Sequence, residues 1–323
     1  MDREPTKSAL TGQSALVTGG SRGLGLLLAE RLAARGNRVT IAARDPEELE
    51  RAASWVARHT GTTPTTRVCD VREEEAVGAL VAQTAEEQGG LDAVFSVAGI
   101  IQVAPVAALD PESFRAAMDT MFHGNVHTSL AALPHLRRSP YGGRLILVGS
   151  VGGLLAVPHL VPYSCAKAAV AALAEGLRTE LAGSAVSVTA AHPGLMRTGS
   201  HRQAQFGGDR AREFAWFAAL SGAPLVSMDA RRAAERIVRA AERRRVRLVL
   251  TPAARAAGLA HGVAPALTTR ASGLAARLLP APGPGDDLAA GHRLAEPRLG
   301  RWQDTLRRLG SRLNDRAAHR FNQ

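Results

Sequence analysis

The stretch Thr18-Gly19-Gly20-Ser21-Arg22-Gly23-Leu24-Gly25 decides the fold of this chain. It follows a short apolar run that ends at Thr18 and leads into a helical pattern over about residues 23–35. Glycines at this point let the backbone turn sharply and let a pyrophosphate approach the N–H groups at a helix N-terminus. Between the first strand and first helix of a βαβ pattern, such a loop indicates a dinucleotide-binding fold. The alternative is a plain glycine-rich turn.

Short β-type runs alternate with helical patterns along the chain. This alternation predicts an α/β fold, a doubly wound parallel sheet of about seven strands with helices on both faces. The β-type runs lie at residues 15–18, 39–42, 66–69, 93–97, 144–148, 185–189 and 246–250. The helical patterns lie at about residues 23–35, 46–59, 73–88, 112–137, 163–182 and 229–244.

The chain has 323 residues, enough for one α/β domain with an appendage. We predict an N-terminal tail over residues 1–11, a catalytic domain over 12–250 with a lid at about 195–228, and a basic C-terminal extension over 251–323. The polar N-terminus carries no secretory signal and the two cysteines suit a reducing compartment, so we expect a cytoplasmic protein. The uncharged residues 145–166 contain several Gly and Pro, so we interpret them as a buried strand and a loop rather than a membrane helix.

The positive charge is concentrated in the last third of the chain. Residues 1–199 hold 18 basic and 19 acidic side chains, whereas residues 200–323 hold 22 basic and 10 acidic ones. Such a region contacts nucleic acid, anionic lipid or acidic partners, or is a solvated arginine-rich surface. No stacking aromatics interleave the arginines, so we expect no nucleic-acid partner. Peripheral membrane contact through the basic third stays open, and residues 299–318 form a basic helix candidate.

Residues 253–279 are rich in Ala and Leu and carry few charges. We consider three roles for them, in decreasing order of preference: docking on the catalytic domain, an oligomer contact, and a position against a membrane surface.

Tyr163 and Lys167 form a candidate acid/base pair. Lys167 is the only lysine beyond residue 7, so this position demands an amine where the chain otherwise uses arginine. One helix turn puts residues four apart on one face, where a cation lowers the pKa of a neighbouring phenol. A tyrosine tuned in this way exchanges a proton with a substrate oxygen near neutral pH. The alternative is a chance pair on an exposed helix.

Three motifs in this order resemble the short-chain dehydrogenase/reductase family on its TGxxxGxG branch, over roughly residues 12–200. They are the glycine loop, the spacing of Ser150, Tyr163 and Lys167, and His192-Pro193-Gly194 followed by Thr198. The resemblance implies a Rossmann fold, bound NAD(H) or NADP(H), and hydride transfer between the nicotinamide and a carbonyl or alcohol. The resemblance also implies that Tyr163 is the acid/base. It implies that Lys167 lowers the pKa of Tyr163 and holds the nicotinamide ribose, and that Ser150 hydrogen-bonds the substrate oxygen.

We predict cofactor-binding residues along the same motifs, and we assign no metal ligand. Asp70 and Val71 resemble the adenine-side contact, whereas the turn after His192 resembles the nicotinamide-side contact. The predicted set is Thr18, Gly19, Ser21, Arg22, Gly23, Leu24, Gly25, Arg44, Asp70, Val71, Ala98, Gly99, Tyr163, Lys167, Pro193, Gly194 and Thr198.

The end of the second strand indicates which cofactor is bound. An acidic residue there hydrogen-bonds the ribose 2′-OH and selects NAD. Here the position falls on Ala43, followed by Arg44, and Arg22 lies on the same side. Two arginines without a carboxylate suit a 2′-phosphate, so we favour NADP(H) over NAD(H). If the position fell instead on Asp45, two residues further on, the site would select NAD(H).

The predicted lid holds four of the chain's twelve aromatic residues: Phe206, Phe214, Trp216 and Phe217. This cluster suits a large apolar ligand, such as a steroid, a retinoid or a polyketide. As partner we expect a small-molecule substrate, a hydrophobic alcohol or ketone. The alternative is a lid helix that packs on its own domain or on a partner subunit. The family resemblance implies a homodimer or homotetramer.

Two positions depart from the family pattern. Ser96 stands where the family has an Asn that braces the central strands, and Met121 stands at the usual catalytic Asn. Met cannot hold a water for a proton relay from Lys167. We therefore predict an NADP(H)-dependent oxidoreductase that interconverts an alcohol and a carbonyl. The alternative is a catalytically weak or inactive protein of the same fold that binds the cofactor and acts as a regulatory or interaction protein.

Overall fold

The computed structural model describes residues 10–223, 227–281, 283 and 288–293. Its central element is a seven-stranded sheet whose strands are mostly buried, apolar runs, as expected for a parallel sheet covered on both faces. The strands are β1 (Ser14–Thr18), β2 (Arg38–Ala43), β3 (Thr65–Val68), β4 (Ala93–Ser96), β5 (Arg144–Val148), β6 (Ser187–His192) and β7 (Arg247–Val249).

All seven strands run parallel, in the spatial order β3-β2-β1-β4-β5-β6-β7. The order reverses between β1 and β4, and in such sheets the ligand crevice opens beyond the carboxyl ends of the strands at that point. The predicted Rossmann-type fold is therefore confirmed.

Helices cover both faces of the sheet. They are α1 (Gly23–Ala33), α2 (Pro46–Thr60), α3 (Glu74–Glu87), α4 (Pro111–Ala117), α5 (Gly124–Leu136), α6 (Val161–Glu180), α7 (Arg210–Gly222), α8 (Ala230–Glu242), α9 (Pro252–Val263) and α10 (Pro265–Ala276). One hydrophobic core lies between the sheet and α1, α2 and α8, and a second lies between the sheet and α3, α5 and α6. Asp45 and Asp110 cap α2 and α4, each followed by a proline at the first helical position.

The single helix predicted over residues 112–137 is divided in the structure. A π-helical segment, Met118–His123, separates α4 from α5. A π segment hydrogen-bonds one residue further along than an α-helix, and such segments are frequent at functional sites. This one lies beside the predicted catalytic helix α6 and carries Met121, which is fully buried.

The uncharged residues 145–166 form β5, a loop and the start of α6, as predicted. Within the described part of the chain, no helix is long and apolar enough to cross a membrane.

The two ends of the described chain return to the body. Leu10, which the prediction assigns to the tail, is fully buried, and Asn37 Nδ2 donates to its carbonyl at 2.9 Å. Near the other end, Ala289–Ala290 pairs with Gln205–Phe206 of the lid. Residues 1–9 of the predicted tail and the basic helix candidate at 299–318 lie outside the described residues.

Candidate active site

The glycine loop is folded tightly against its neighbours. The N–H groups of Gly19 and Gly20 both donate to the Ala42 carbonyl, at 2.8 and 3.1 Å. Gly19 has a φ of +72°, and a Cβ there would lie 2.7 Å from the Ala98 nitrogen. A Cβ at Gly25 would lie 2.0 Å from the Gly19 carbonyl oxygen. A side chain at either position would collide with neighbouring backbone, so the tight fold of the loop depends on glycine at both.

The loop forms one end of a cleft of about 970 Å³ at the carboxyl ends of the strands. The structure brings the predicted catalytic and cofactor-binding residues together in this cleft, with one exception. Those in its wall are Gly19, Ser21, Arg22, Gly23, Leu24, Gly25, Arg44, Asp70, Val71, Ala98, Gly99, Ser150, Tyr163, Lys167, Pro193, Gly194 and Thr198. The exception is Thr18, which is fully buried and donates to Ser96 Oγ at 3.4 Å. Ser96 thus still links β1 and β4, at the length of a weak hydrogen bond.

The end of the cleft near β2 carries charges of both signs. Ala43 is the last residue of β2, and Arg44 after it is exposed. The Asp45 carboxylate accepts from the Glu48 backbone N–H at 3.0 Å, so its role is to cap α2. Glu48 accepts from Arg22 Nη1 at 2.7 Å and from Ser21 Oγ at 3.0 Å. The guanidinium predicted to meet a 2′-phosphate is therefore already paired with a carboxylate.

Glu48 is not recognisable as a site residue from the sequence, because its position is typical of a helix cap. A glutamate three residues after an N-cap is usually a capping-box residue, and Arg22 lies 26 residues earlier in the chain. Only the packing of α2 against the glycine loop brings the two side chains together.

Asp70 follows β3 and is held by Arg72, which also lines the cleft. Arg72 Nη2 donates to Asp70 Oδ2 at 2.6 Å, and Nε donates to the same oxygen at 3.0 Å. Burial raises the pKa of the Asp70 carboxyl, but the hydrogen bonds and the charge of Arg72 outweigh it, and the pKa lies below its usual value. Asp70 is therefore an ionised acceptor at neutral pH.

Ser150, Tyr163 and Lys167 meet at the middle of the cleft. The Ser150 hydroxyl is hydrogen-bonded to the Tyr163 phenol and accepts from the Gly152 N–H at 3.0 Å. Lys167 Nζ donates to the Val148 carbonyl at 2.7 Å and lies 5.9 Å from the centroid of the Tyr163 ring. A serine after β5 and two residues one helix turn apart on α6 thus converge on one point.

Burial shifts the pKa values of both Tyr163 and Lys167. Burial raises the pKa of Tyr163, and the hydrogen bond from Ser150 lowers it by less. Burial also lowers the pKa of Lys167 to about 8. In this arrangement the ammonium group bonds the Val148 carbonyl and desolvation of the phenolate dominates, so the pKa of Tyr163 is raised; the expected effect of Lys167 on it stays a prediction.

His192 supports the same group from behind. Its Nδ1 lies 3.3 Å from the Ser150 carbonyl oxygen, and the whole side chain is buried. Burial is the largest cause that lowers the pKa of His192 to about 4, so the ring is neutral at physiological pH and its Nδ1–H can donate to that carbonyl. His192 thus contacts the backbone of Ser150, although the sequence indicates it only as the first residue of the His192-Pro193-Gly194 motif.

Met121 lies where the resemblance places it, beside Lys167. A Cβ at Gly99 would lie 3.4 Å from Met121 Sδ and 3.8 Å from Lys167 Nζ, so both side chains flank Gly99. Met121 packs with Ala117 and Ala166 in an apolar cluster that Tyr163 also contacts. A thioether is at most a weak acceptor, so no polar relay passes through this position.

The polar residues near Met121 do not replace the missing amide. Asn125 Nδ2 donates to the Met121 carbonyl at 2.5 Å, whereas its buried Oδ1 has no hydrogen-bond partner among the described residues. His123 is half-exposed, and its Nδ1 lies 3.0 Å from Asp119 Oδ1. Neither side chain hydrogen-bonds Lys167.

We expect Met121→Asn to lower the stability of the protein without raising turnover. The new amide would lie in an apolar cluster, and a buried unpaired amide costs about 1–3 kcal/mol. Denaturant unfolding and initial rates would measure both effects. Met121→Leu is the matched control, because a swap of similar volume costs less than about 1.5 kcal/mol. Unchanged stability with faster turnover in Met121→Asn would show that a water relay operates here.

The aromatic residues of the lid form a core of their own. Phe206 and Phe217 are buried, and the Phe206 ring centroid lies 5.4 Å from that of Phe214 and 6.0 Å from that of Phe217. These rings and Trp216 pack with Val103 and Leu160, and none of the four lines the cleft. The interpretation that they contact substrate is therefore corrected in favour of the alternative, a lid packed on its own domain.

Other residues form the lid side of the cleft. Ser200, Gln203 and Ala204 line it just after Thr198, and Ile100 and Ile101 line it from the loop after β4. None of these five residues belongs to the predicted site, although Ser200 and Gln203 follow the predicted Thr198 closely in the sequence.

A buried polar triad fastens the lid helix. Glu213 on α7 is fully buried, lies 2.8 Å from His159 Nδ1 and accepts from Trp216 Nε1 at 2.7 Å. His159 lies in the loop before α6 and has a φ of +61°, which is uncommon for a residue other than glycine. The triad joins the lid to the loop that leads to Tyr163.

Comparison with known proteins gives one consistent result. The family model described as "short chain dehydrogenase" matches residues 13–206. An uncharacterized oxidoreductase of Staphylococcus saprophyticus is 32% identical over 189 residues, which span 58% of this chain and 80% of that protein. An 11-beta-hydroxysteroid dehydrogenase 1A of Arabidopsis thaliana is 33% identical over 202 residues, spanning 62% of this chain and 57% of that protein.

Solved structures give the same fold. A short chain dehydrogenase from Mycobacterium paratuberculosis, crystallised bound to NAD, has a TM-score of 0.66 and covers 75% of this chain and 97% of its own. Its sequence identity is 23%, so this likeness concerns the fold alone.

Proposed function

The chain belongs to the short-chain dehydrogenase/reductase family and is an oxidoreductase, and from this premise we propose that it interconverts an alcohol and a carbonyl on a hydrophobic substrate with NADP(H). The observation that carries the proposal is the convergence of Ser150, Tyr163 and Lys167 on the same cleft as the glycine loop. A phosphate cradle next to a hydrogen-bonded phenol suits a nicotinamide cofactor that meets its substrate at Tyr163.

The residues present fit such a cofactor along the whole cleft. Bound there, a nicotinamide supplies or accepts a hydride. The backbone of the glycine loop would hold the pyrophosphate. Asp70 would contact the adenine side of the cofactor, and Lys167 would bind the nicotinamide ribose. The turn at Pro193 and Thr198 would contact the nicotinamide end. The lack of a Cβ at Gly19 and Gly25 lets the loop pack closely on itself and on Ala98 at the N-terminus of α1, where backbone N–H groups would meet the phosphates.

Tyr163 would transfer the proton. Because burial holds its pKa above the ordinary value, the phenol carries its proton at neutral pH. That protonation state suits donation to a carbonyl oxygen, whereas oxidation of an alcohol would require the phenolate as proton acceptor. Ser150 orients the same oxygen through its hydroxyl, and the Gly152 N–H and His192 fix Ser150 in turn.

The substrate that we propose is a hydrophobic alcohol or ketone. Ile100 and Ile101 line the cleft near Tyr163, while Ser200 and Gln203 supply a few polar groups on the lid side. Apolar side chains next to the reacting group, with polar groups at its edge, are typical of sites for such ligands. The relative from Arabidopsis thaliana is named as a hydroxysteroid dehydrogenase, which supports the same class of substrate.

The preference for NADP(H) rests on the charges near β2. Ala43 offers no carboxylate to a ribose 2′-OH, Asp45 is used as a helix cap, and Arg44 and Arg22 lie at the cleft. A 2′-phosphate would compete with Glu48 for Arg22 and would find Arg44 exposed. Arg44 therefore becomes the main determinant in our proposal.

We expect Arg44→Ala to weaken NADPH binding about tenfold or more and to leave NADH binding little changed. A charge-assisted hydrogen bond contributes about 1.5–3 kcal/mol, and 1.4 kcal/mol corresponds to a factor of about ten. Titration calorimetry with both cofactors would measure this. Arg58→Ala, an exposed arginine at the other end of α2, is the control. An equal loss for both cofactors would mean that Arg44 is structural.

A second candidate is a cofactor-binding protein with little or no turnover. The observation that favours it is Met121, which fills the position of a polar relay with an apolar cluster. It requires cofactor binding without oxidation or reduction of any alcohol or carbonyl. Turnover of any such compound that is lost in Tyr163→Phe would exclude this candidate.

We infer a homodimer or homotetramer from membership of the family. Leu130 on α5 is 59% exposed and offers an apolar contact for such an assembly. Both cysteines of the chain are free thiols, and the expected cytoplasmic location stays a prediction. Peripheral membrane contact through the C-terminal third stays a proposal too.

A further inference from the structure

The helical hairpin of α9 and α10 exposes an unusual amount of apolar surface. Eleven large apolar side chains are exposed among the described residues, and five of them lie in this hairpin and the turn that follows it. They are Leu259, Val263, Leu267, Leu274 and Leu278, which are 71%, 87%, 67%, 61% and 88% exposed. A contiguous exposed apolar surface marks an interaction site, whereas single exposed residues do not.

The apolar residues fall on one face of each helix. Leu267, Leu274 and Leu278 follow one another at spacings of seven and four residues, which places them on the same side of α10 and its final turn. Leu259 and Val263 are four apart on α9. None of the residues of α10 is buried, so within the described chain this helix covers no core.

The hairpin also contacts the rest of the described chain. His261 Nδ1 lies 2.8 Å from Thr268 Oγ1 and joins the two helices. Arg255 Nε donates to the Val249 carbonyl at 2.8 Å, and a Cβ at Gly258 would lie 3.6 Å from Leu154. Leu154 follows the Ser150 loop, so the hairpin stands beside the cleft with its apolar side chains in solvent.

The stretch of chain that contains the hairpin carries charged side chains of one sign only. No acidic residue occurs between Glu242 and Asp286. The same interval contains seven arginines: Arg243, Arg244, Arg245, Arg247, Arg255, Arg270 and Arg277. Arg270 and Arg277 are exposed, and each lies three residues after a leucine of the apolar face, so the cations flank that face.

We propose that the α9–α10 hairpin docks on the surface of an anionic lipid bilayer. Leucines inserted at the interface with arginines at headgroup level are the chemistry that such a surface recognises. A second copy of the chain fits this face poorly. In a symmetric dimer the same face would contact itself, so the arginines that flank the leucines would repel those of the partner. The C-terminal residues 294–323 are a poor occupant as well, because they contain seven arginines and three acidic residues.

Flotation of the full-length protein with vesicles tests the docking surface. We expect binding to vesicles that contain phosphatidylglycerol, weaker binding to pure phosphatidylcholine vesicles, and a decrease with added salt. Arg270→Gln with Arg277→Gln should weaken binding about 25-fold, since each basic residue at an anionic surface contributes about a factor of five. Leu267→Gln with Leu274→Gln should reduce binding at every salt concentration.

Matched variants separate docking from general effects. Val106→Gln changes an exposed apolar residue elsewhere, and Arg51→Gln with Arg58→Gln removes two exposed charges from α2. Both should bind vesicles like the wild type, and the circular dichroism of all variants should be unchanged because every substituted residue is exposed. Equal binding to anionic and neutral vesicles, or wild-type binding by the double leucine variant, would overturn the proposal. A change of oligomer mass in that variant without vesicles would assign the face to a second copy and overturn it too.

Discussion

Tyr163→Phe is expected to lower turnover by about 100- to 10,000-fold while NADPH affinity stays within about twofold of the wild type. The substitution removes only the hydroxyl that is hydrogen-bonded to Ser150. The ring keeps its packing between the apolar cluster of Met121 and the aromatic core of the lid, so the fold should be retained. Loss of the proton donor then appears in the chemical step and not in cofactor binding.

The second tyrosine of the chain provides the control. Tyr141 is 46% exposed and lies outside the cleft, so Tyr141→Phe should turn over like the wild type. Initial rates with NADPH and a hydrophobic ketone, together with calorimetric titration of NADPH, separate the two effects. Full activity in Tyr163→Phe would remove Tyr163 from its assigned role.

Gly25→Ala is expected to weaken the binding of NADPH strongly and to destabilise the fold. Its Cβ would lie 2.0 Å from the Gly19 carbonyl oxygen and 2.8 Å from the Gly19 carbonyl carbon. Both are backbone atoms, so no side-chain rotation relieves the contact, and α1 must move away from the loop. We expect a loss of about 1–3 kcal/mol in the free energy of unfolding, and a loss of about 100-fold in NADPH affinity because the phosphate cradle is distorted.

Gly78→Ala is the matched control for this change. Gly78 lies within α3, and a Cβ there would meet nothing within 4 Å. Replacing a helical glycine by alanine where there is space stabilises a helix by up to about 1 kcal/mol. Thermal unfolding should therefore move in opposite directions for the two variants, and Gly78→Ala should bind NADPH normally. Normal NADPH binding by Gly25→Ala would place the phosphates elsewhere.

Most of the fold was predictable because it depends on local pattern. Buried parallel strands are continuous apolar runs, and helices between them show their own caps, as at Asp45 and Asp110. The π segment at Met118–His123 was not predictable, since a one-residue change of hydrogen-bond register leaves no mark in composition.

The candidate site was predictable as a set of residues and not as an electrostatic arrangement. Spacing on α6 indicates that Tyr163 and Lys167 share a face, but it does not reveal that Lys167 Nζ bonds the Val148 carbonyl. The direction of the Tyr163 pKa depends on burial by the lid and on Met121, which are long-range features. The pairing of Arg22 with Glu48 is of the same kind, because it depends on how α2 packs.

The aromatic cluster shows the limit of composition as evidence. Four aromatic residues close together in a chain with few of them indicate a shared environment. They do not distinguish a ligand pocket from a small core. Phe206 and Phe217 are buried against Val103 and Leu160, which assigns the cluster to the core of the lid.

Hydride transfer from the cofactor tests the central claim most directly. The wild type would be incubated with NADPH that carries deuterium at both positions of the hydride-bearing carbon and with a panel of hydrophobic ketones and aldehydes, and the alcohols would be analysed by mass spectrometry. We predict that the wild type forms at least one deuterated alcohol and that Tyr163→Phe forms none above the background without enzyme. NADPH binding by the wild type with no deuterium in any product would contradict the assignment of this cleft as the site of carbonyl reduction.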